Sequence, residues 1–177
     1  MAATQNDIDE LNRRLGIDLA IISRRALPRH EEAVELASIG LDIENRGQRL
    51  TPAAAAAWQE MRAAAARDSI TLLPVSGYRS LEEQIAIIER KLARGIAIDV
   101  ILAGSAPPGY SEHHSGCAID IGTPESIPLE VEFEQTPAFT WLTANAARHG
   151  FTLSFPRDNK YGYIFEPWHW FHQSGRK

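Results

Sequence analysis

Two short clusters of histidine and carboxylate residues are the parts of this sequence whose side chains could do chemistry. The first contains His113 and Asp120, and the second contains Glu166 and His169. A hydrolytic zinc site commonly uses two histidines and a carboxylate as ligands and leaves a fourth position open for water. The metal lowers the pKa of that water to about 7, and a neighbouring carboxylate removes its proton during attack on a carbonyl group. The clusters therefore supply the residue types of a zinc-dependent hydrolase.

The spacing of the first cluster requires a turn followed by a strand. His113 and Asp120 are too far apart in sequence to be neighbours on one turn of a helix. They can converge if His113 lies in a loop, Ser115 and Gly116 form a turn, and Asp120 lies on the strand that follows. Because side chains alternate along a strand, Asp120 would share a face with the small Ala118, which leaves room for a metal and a substrate.

The second cluster requires a bend in the backbone. Glu166 and His169 would point to opposite faces of a straight extended segment. We therefore predict a bend or bulge at Pro167, which lets Glu166 reach metal-bound water while His169 binds the metal. Taken one at a time, these residues also fit a structural role, with His113 in the core or on the surface and Glu166 as a solvated charge. Spacing alone leaves both interpretations open.

Helical patterns dominate the N-terminal third and return later in the chain. Ser80 followed three residues later by Glu83 has the pattern of a capping box, which predicts a helix that begins directly after Arg79. Apolar spacing and Thr-Pro start signals indicate the other helices. The predicted helices cover residues 7–15, 31–39, 51–67, 80–95 and 136–150.

Short apolar runs predict strands in the second half of the chain. They cover residues 70–75, 151–155 and 163–171, with a further strand within residues 111–122. This order of elements predicts an α+β fold in which N-terminal helices pack on a small, mainly antiparallel sheet that carries the zinc site. We expect a single domain of residues 1–177, with a helical part at 1–69 and the motifs of the catalytic core at 70–172.

Composition excludes several other classes of protein. The net charge of −5 argues against binding to nucleic acid, whose partners usually carry a basic surface. No apolar stretch approaches the length of about 18 residues that a transmembrane segment needs, and no signal-peptide pattern is visible. The expected location is therefore the cytoplasm or, if an export signal has been removed, the periplasm or cell wall. With Cys117 as the single cysteine, a zinc site must use His, Asp and Glu.

Three motifs, which occur in order between residues 70 and 172, resemble those of VanY-type D-alanyl-D-alanine carboxypeptidases. These zinc peptidases form one superfamily with lysostaphin-type peptidases and the hedgehog signalling domain. The motifs are Ser76-Gly77-Tyr78-Arg79-Ser80, Ser111-x-His113-x-x-Gly116-x-Ala118-x-Asp120 and Glu166-Pro167-Trp168-His169.

The resemblance implies a role for each matching residue. His113, Asp120 and His169 match the ligands of one zinc ion, and Glu166 matches the general base. Arg79 matches an arginine that stabilises the substrate carbonyl as it becomes an oxyanion, a role that suits a fixed guanidinium group.

Further residues match positions around the substrate. The resemblance implies that Gln84 and Ser111 bind the substrate peptide, and Trp168 either lines the pocket or belongs to the core. The family often carries an arginine at the position of Phe171, so any contact made by that arginine is absent here. The remaining histidines near the motifs, His114 and His172, match no family position.

The implied activity is hydrolysis of the terminal D-Ala-D-Ala bond of peptidoglycan stem peptides. Three alternatives remain: an L,D-carboxypeptidase acting on tetrapeptides, a phage-type endopeptidase that cuts the stem internally, and a hedgehog-like binding module that keeps the metal without catalysis. The presence of both Glu166 and Arg79 argues against the binding module. The absence of a visible cell-wall-binding repeat disfavours a secreted lysin.

Overall fold

The computed structural model describes residues 3–176, which form helices around two antiparallel sheets, and the predicted α+β class is confirmed. The elements are α1 (Gln5–Arg14), α2 (Leu19–Arg24), β1 (Ala37–Leu41), β2 (Gly47–Leu50), α3 (Pro52–Arg67), β3 (Leu73–Ser76), α4 (Leu81–Ala93), α5 (Ile98–Ile101), β4 (Ala118–Gly122), α6 (Pro137–Asn145), β5 (Phe151–Leu153) and β6 (His169–His172). Short 3-10 turns cover Glu112–Ser115, Val131–Gln135, Ala146–His149 and Gln173–Gly175. Within residues 3–176, no helix combines the length and apolar character needed to span a membrane.

The larger sheet aligns functional candidates from three strands in one row. Its strand order is β3-β4-β6-β5, and every neighbouring pair is antiparallel. Asp120 on β4 pairs with Ser76 on β3 and with His169 on β6. Because paired residues on adjacent strands point to the same face, the register brings Asp120 and His169 together although they are far apart in sequence.

The two faces of β4 have different surroundings. Ile119 and Ile121 point into the main hydrophobic core, where they meet Trp58 and Met61 of α3 and Leu142 of α6. The alternate residues of β4 point to the other face, as the period of a strand requires. The core therefore fixes the sheet from one side and leaves the other side for the polar cluster.

The N-terminal part is not wholly helical, and the helix predicted at residues 31–39 is wrong. That segment leads into β1, which pairs with β2 in a two-stranded hairpin. The carboxylate of Asp42 accepts hydrogen bonds from the backbone N–H groups of Glu44 and Arg46, while Asn45 adopts a positive φ of 60°. These contacts stabilise the turn between β1 and β2. A short Asp side chain accepts hydrogen bonds from nearby backbone N–H groups, and this favours a turn over a helix.

The predicted strand at residues 163–171 is shorter than expected, and the predicted bend at Pro167 is confirmed. A turn at Pro167 and Trp168 precedes β6, and the N–H of His169 donates to the carbonyl of Glu166 at 3.1 Å. Proline cannot donate a hydrogen bond to a sheet, so the regular ladder starts only after it. The bend lets the side chains of Glu166 and His169 approach one another.

Candidate metal centre and catalytic cleft

Three of the predicted site residues form a compact buried group. His113 comes from the 3-10 turn, Asp120 from β4 and His169 from β6, and one potential ligand atom of each lies within 4.8 Å of the others. The rings of His113 and His169 meet edge to face, with centroids 4.9 Å apart. Two imidazoles and one carboxylate are a donor set that suits zinc.

His113 is oriented by the backbone of the first motif. Its Nδ1 donates to the carbonyl of Gly77 at 2.6 Å, which leaves Nε2 directed at the Asp120 carboxylate, 3.3 Å away. A Cβ atom at Gly77 would lie 2.5 Å from the carbonyl oxygen of Arg49, so only glycine fits this close approach. The 3-10 turn ends at Gly116, whose φ of 64° lies in the left-handed region that favours glycine.

His169 is oriented by a carboxylate that the sequence analysis did not single out. Its Nε2 lies 2.9 Å from a carboxylate oxygen of Glu112, and the same oxygen accepts a hydrogen bond from the hydroxyl of Ser154 at 2.5 Å. Its Nδ1 lies 3.0 Å from Asp120. A carboxylate on the outer nitrogen of a metal-binding histidine fixes the ring and its tautomer. Glu112 therefore leaves Nδ1 of His169 directed at the group that could hold a metal.

The electrostatics of the cluster fit a bound cation. Burial would raise the pKa of Asp120, but the neighbouring His113 and His169 outweigh it and hold that pKa well below its usual range. Burial would lower the pKa of His169, yet hydrogen bonds to Asp120 and Glu112 raise it to about 10. A buried group of carboxylates is stable only with a compensating positive charge. Zinc supplies such a charge, and His113, Asp120 and His169 are the residues that would hold it.

Glu166 lies beside this group with the properties of a proton acceptor. Its carboxylate is 3.8 Å from Nδ1 of His169, and only 8% of the residue is exposed. Burial raises the pKa of Glu166 to about 7, with a smaller opposing effect from the positive charge of His169. A general base works best when its pKa lies near the working pH, because it must both accept and return a proton.

Arg79 also lies beside the group and is held by hydrogen bonds. One guanidinium nitrogen is 4.0 Å from Asp120. The guanidinium donates to the side-chain carbonyl of Gln84 at 3.0 Å and to the hydroxyl of Ser76 at 3.0 Å. The capping box of Ser80 and Glu83 starts α4 directly after it, as predicted. Arg79 is therefore a fixed positive charge at the edge of the cluster.

The residues predicted to bind substrate occupy different environments. Gln84 is fully buried, accepts from Arg79 and donates to the carbonyl of Ala106 at 2.7 Å, so both ends of its amide are engaged. Ser111 is buried directly before the 3-10 turn, and Trp168 is 8% exposed and packs in the main core. The geometry makes Gln84 a support for Arg79, while direct contact of all three residues with substrate stays a prediction.

The two histidines without a family position lie outside the cluster. His114 uses both ring nitrogens on the backbone: Nδ1 donates to the carbonyl of Arg79 at 2.8 Å, and Nε2 accepts from the N–H of Gly109 at 3.2 Å. Nδ1 of His172 lies 2.7 Å from the hydroxyl of Ser174. Neither ring contributes to the group formed by His113, Asp120 and His169.

Comparison with known proteins identifies the family. A family model described as VanY, D-alanyl-D-alanine carboxypeptidase, matches residues 47–174. The protein YodJ of Bacillus subtilis (strain 168) is 30% identical over 167 residues, which cover 85% of this chain and 58% of YodJ. The chain thus spans less than two thirds of the length of this curated relative.

Solved structures extend the comparison to fold and metal. The LdcB LD-carboxypeptidase matches with a TM-score of 0.71 at 28% identity, covering 82% of this chain and 71% of that one. A vancomycin resistance D,D-pentapeptidase VanY, solved in complex with Zn(II), matches with a TM-score of 0.61 at 30% identity, covering 78% of both chains. Together with the group of His113, Asp120 and His169, the zinc-bound neighbour confirms zinc as the expected cofactor. Because the family model spans most of the sequence, the chain belongs to the VanY family of D-alanyl-D-alanine carboxypeptidases.

Proposed function

We propose that this protein is a zinc-dependent D,D-carboxypeptidase that removes the terminal D-Ala from peptidoglycan stem peptides ending in D-Ala-D-Ala. The observation that carries the proposal is the convergence of a His-Asp-His group, a buried glutamate and a fixed arginine on one side of the sheet. The family match and the activity of the zinc-bound VanY neighbour support the choice of substrate.

His113, Asp120 and His169 would hold the zinc ion, the two histidines through the ring nitrogens not engaged by Gly77 and Glu112. When bound, zinc supplies a Lewis acid that polarises the scissile carbonyl and lowers the pKa of water. The protein contributes rings that are already oriented before the metal binds, because their outer nitrogens have fixed partners.

Glu166 would act as the general base and then as the general acid. It removes a proton from the attacking water as the carbon–oxygen bond forms, and it returns that proton to the leaving amine as the carbon–nitrogen bond breaks. Burial raises the pKa of this carboxyl group above its ordinary value, in the direction that suits a group that must both accept and return a proton. The products are the shortened stem peptide and free D-Ala.

Arg79 would stabilise the negative charge that develops on the carbonyl oxygen. Gln84 and Ser76 fix its guanidinium group before substrate binds, so little reorganisation is needed at the moment of reaction. Removing one such preorganised donor typically costs about 10²–10³-fold in turnover. The presence of both Arg79 and Glu166 beside the candidate ligands supports a catalytic role over a binding role.

A second candidate is an L,D-carboxypeptidase acting on tetrapeptide stems. The similarity to the LdcB LD-carboxypeptidase favours it, because the TM-score of 0.71 exceeds that of the VanY neighbour at 0.61. The same ligands and base serve both reactions, so the distinction depends on how the pocket receives the residue before the scissile bond.

Defined muropeptides separate these activities. Zinc-loaded protein would be incubated with pentapeptide and tetrapeptide muropeptides, and the products would be identified by mass spectrometry. The proposal expects release of D-Ala from the pentapeptide alone. Release from the tetrapeptide alone would replace it with the L,D activity, internal fragments would indicate an endopeptidase, and no cleavage of either peptide would favour a binding module.

A further inference from the structure

Lys91 continues the inward face of α4 that begins beside Arg79. Gln84, Ile88 and Lys91 follow one another at intervals of four and three residues, the spacing of a single helix face. Gln84 and Ile88 are fully buried, and Lys91 is partly buried. Helical side chains lean toward the N-terminus of their helix, so the long stem of Lys91 is directed toward the end of α4 that supports Arg79.

The ammonium group of Lys91 is held by the loop that also binds Gln84. Nζ of Lys91 donates to the hydroxyl of the buried Ser105 at 2.7 Å. The carbonyl of the next residue, Ala106, accepts from the amide of Gln84 at 2.7 Å, and Gln84 in turn accepts from Arg79. Three hydrogen bonds, joined through the adjacent loop residues Ser105 and Ala106, therefore connect Lys91 to Arg79.

No carboxylate among residues 3–176 forms an ion pair with Lys91. Its charge interacts with both Arg79 and Glu166: burial and the positive Arg79 lower the pKa of Lys91, and the negative Glu166 acts in the opposite direction. The closest carboxylate to Arg79 is Asp120, which is already a candidate zinc ligand. Lys91 thus places a second positive charge near Arg79 without an ion pair to a carboxylate of the described residues.

We propose that Lys91, held by Ser105, binds the free carboxylate of the substrate's C-terminal residue on the leaving side of the scissile bond. This inference rests on the proposed function for the position of that bond. A single leaving residue spans only about 3.8 Å between successive Cα atoms, so its carboxylate must be bound close to the reacting carbonyl. A compact ammonium on a flexible stem suits such a carboxylate, and it makes Lys91 a specificity residue for removal of a terminal amino acid.

The test compares a free acid with its amide. The substrates are diacetyl-L-Lys-D-Ala-D-Ala and the same peptide with a C-terminal amide, and kcat/KM is measured for zinc-loaded wild type and Lys91→Met. A charge-assisted hydrogen bond to the terminal carboxylate predicts that wild type prefers the acid by about 10- to 100-fold. Lys91→Met should lose this preference through a higher KM for the acid, while its kcat/KM for the amide, which offers no carboxylate, should fall far less.

Matched variants separate charge recognition from damage to the fold. Arg90→Met removes the same charge from an exposed position on the same helix and should retain the full preference for the acid. Lys91→Arg should retain part of it, and Ser105→Ala should weaken it less than Lys91→Met. Equal losses of acid and amide cleavage in Lys91→Met, or an unchanged preference for the acid, would overturn the inference.

Equilibrium binding keeps the test independent of the proposed activity. Calorimetric titration with the acid and the amide measures the carboxylate site without turnover when each zinc-loaded protein in the titration, wild type or Lys91→Met, also carries Glu166→Ala, which removes the proposed general base. If wild type cleaves neither peptide but binds the acid more tightly in a Lys91-dependent manner, the proposed reaction fails and the carboxylate site stands. If wild type cleaves the acid and Lys91→Met binds both peptides as wild type does, the reaction stands and the role of Lys91 fails.

Discussion

The 3-10 turn at Glu112–Ser115 carries two adjacent histidines, whose side chains lie in two different regions of the molecule. His113 enters the metal group on one side, and His114 enters the contact between this turn and the loop at Gly109 on the other. Both are buried, with exposures of 4% and 0%. Residue type and burial are therefore nearly the same, yet only one ring has a nitrogen available to a metal.

The difference lies in what each ring nitrogen contacts. In His113, Nδ1 donates a hydrogen bond to the carbonyl of Gly77, and Nε2 faces the carboxylate of Asp120. In His114, both ring nitrogens are hydrogen-bonded to the backbone: one donates to the carbonyl of Arg79, and the other accepts from the N–H of Gly109. A buried histidine is thus a ligand candidate only when one nitrogen faces other ligand atoms, and it is a structural residue when both are satisfied by the backbone.

Alanine substitutions of His113 and His114 test this comparison, and they should give the largest difference in zinc content. We expect His113→Ala to lose stoichiometric zinc and to fall to background activity, because one of three ligands is gone. His114→Ala should retain one zinc per chain. Metal content after dialysis, measured by elemental analysis, checks both, and full zinc retention in His113→Ala would contradict the assignment.

Glu166→Ala separates the metal from the chemistry. We expect this variant to bind zinc and to lose about 10²–10⁴-fold in turnover, the usual contribution of a general base. Steady-state kinetics on a pentapeptide substrate, with metal content measured in parallel, provide the check. A Glu166→Ala protein with turnover close to wild type would eliminate the proposed mechanism.

Glu112→Gln sharpens the comparison from the metal side. The amide keeps the size of the side chain but removes the charge that orients His169, so zinc affinity should fall by about 10- to 100-fold. Competition with a chelator measures this affinity directly. Glu130→Gln, an exposed carboxylate, serves as the control and should leave the affinity unchanged. Equal zinc affinity in Glu112→Gln and wild type would show that Glu112 does not support the ligand.

We expect the smallest effect from His114→Gln, which should change the pH dependence of the free energy of unfolding. Burial lowers the pKa of His114 to about 4 from an ordinary value of 6.5, so the folded state binds fewer protons between these values. Its contribution to stability is present above about pH 6.5 and declines as the pH falls toward 4. Denaturant unfolding of wild type should lose stability over this range more steeply than His114→Gln, and parallel curves for the two proteins would contradict the account.

Short-range sequence patterns predicted the elements that carry the motifs. The capping box at Ser80 and Glu83, the turn at Gly116 and the bend at Pro167 depend on neighbours only a few residues away, and each is present in the fold. The hairpin formed by β1 and β2 was missed, although Asn45 lies in a typical turn. Its stability comes from the contacts of Asp42 and from packing on α3, which a local pattern does not contain.

Contacts between residues far apart in sequence limit how much of the site can be predicted from the sequence. Glu112 was visible beside His113, but its partner His169 is 57 residues away, and only the pairing of β4 with β6 brings them together. Lys91 belongs to no motif, and only the fold shows that its ammonium group donates to Ser105 and interacts with the charge of Arg79. Motif resemblance supplied the expected ligands, whereas the residues that orient them required the fold.

The most direct test of the central claim is an anomalous diffraction map from zinc-loaded crystals, recorded on both sides of the zinc absorption edge. The account predicts one peak bound by Nε2 of His113, the Asp120 carboxylate and Nδ1 of His169, at about 2.0–2.2 Å from each ligand atom. It also predicts Glu112 on the outer nitrogen of His169. A peak bound by His114, or no peak within the group of His113, Asp120 and His169, would contradict the account.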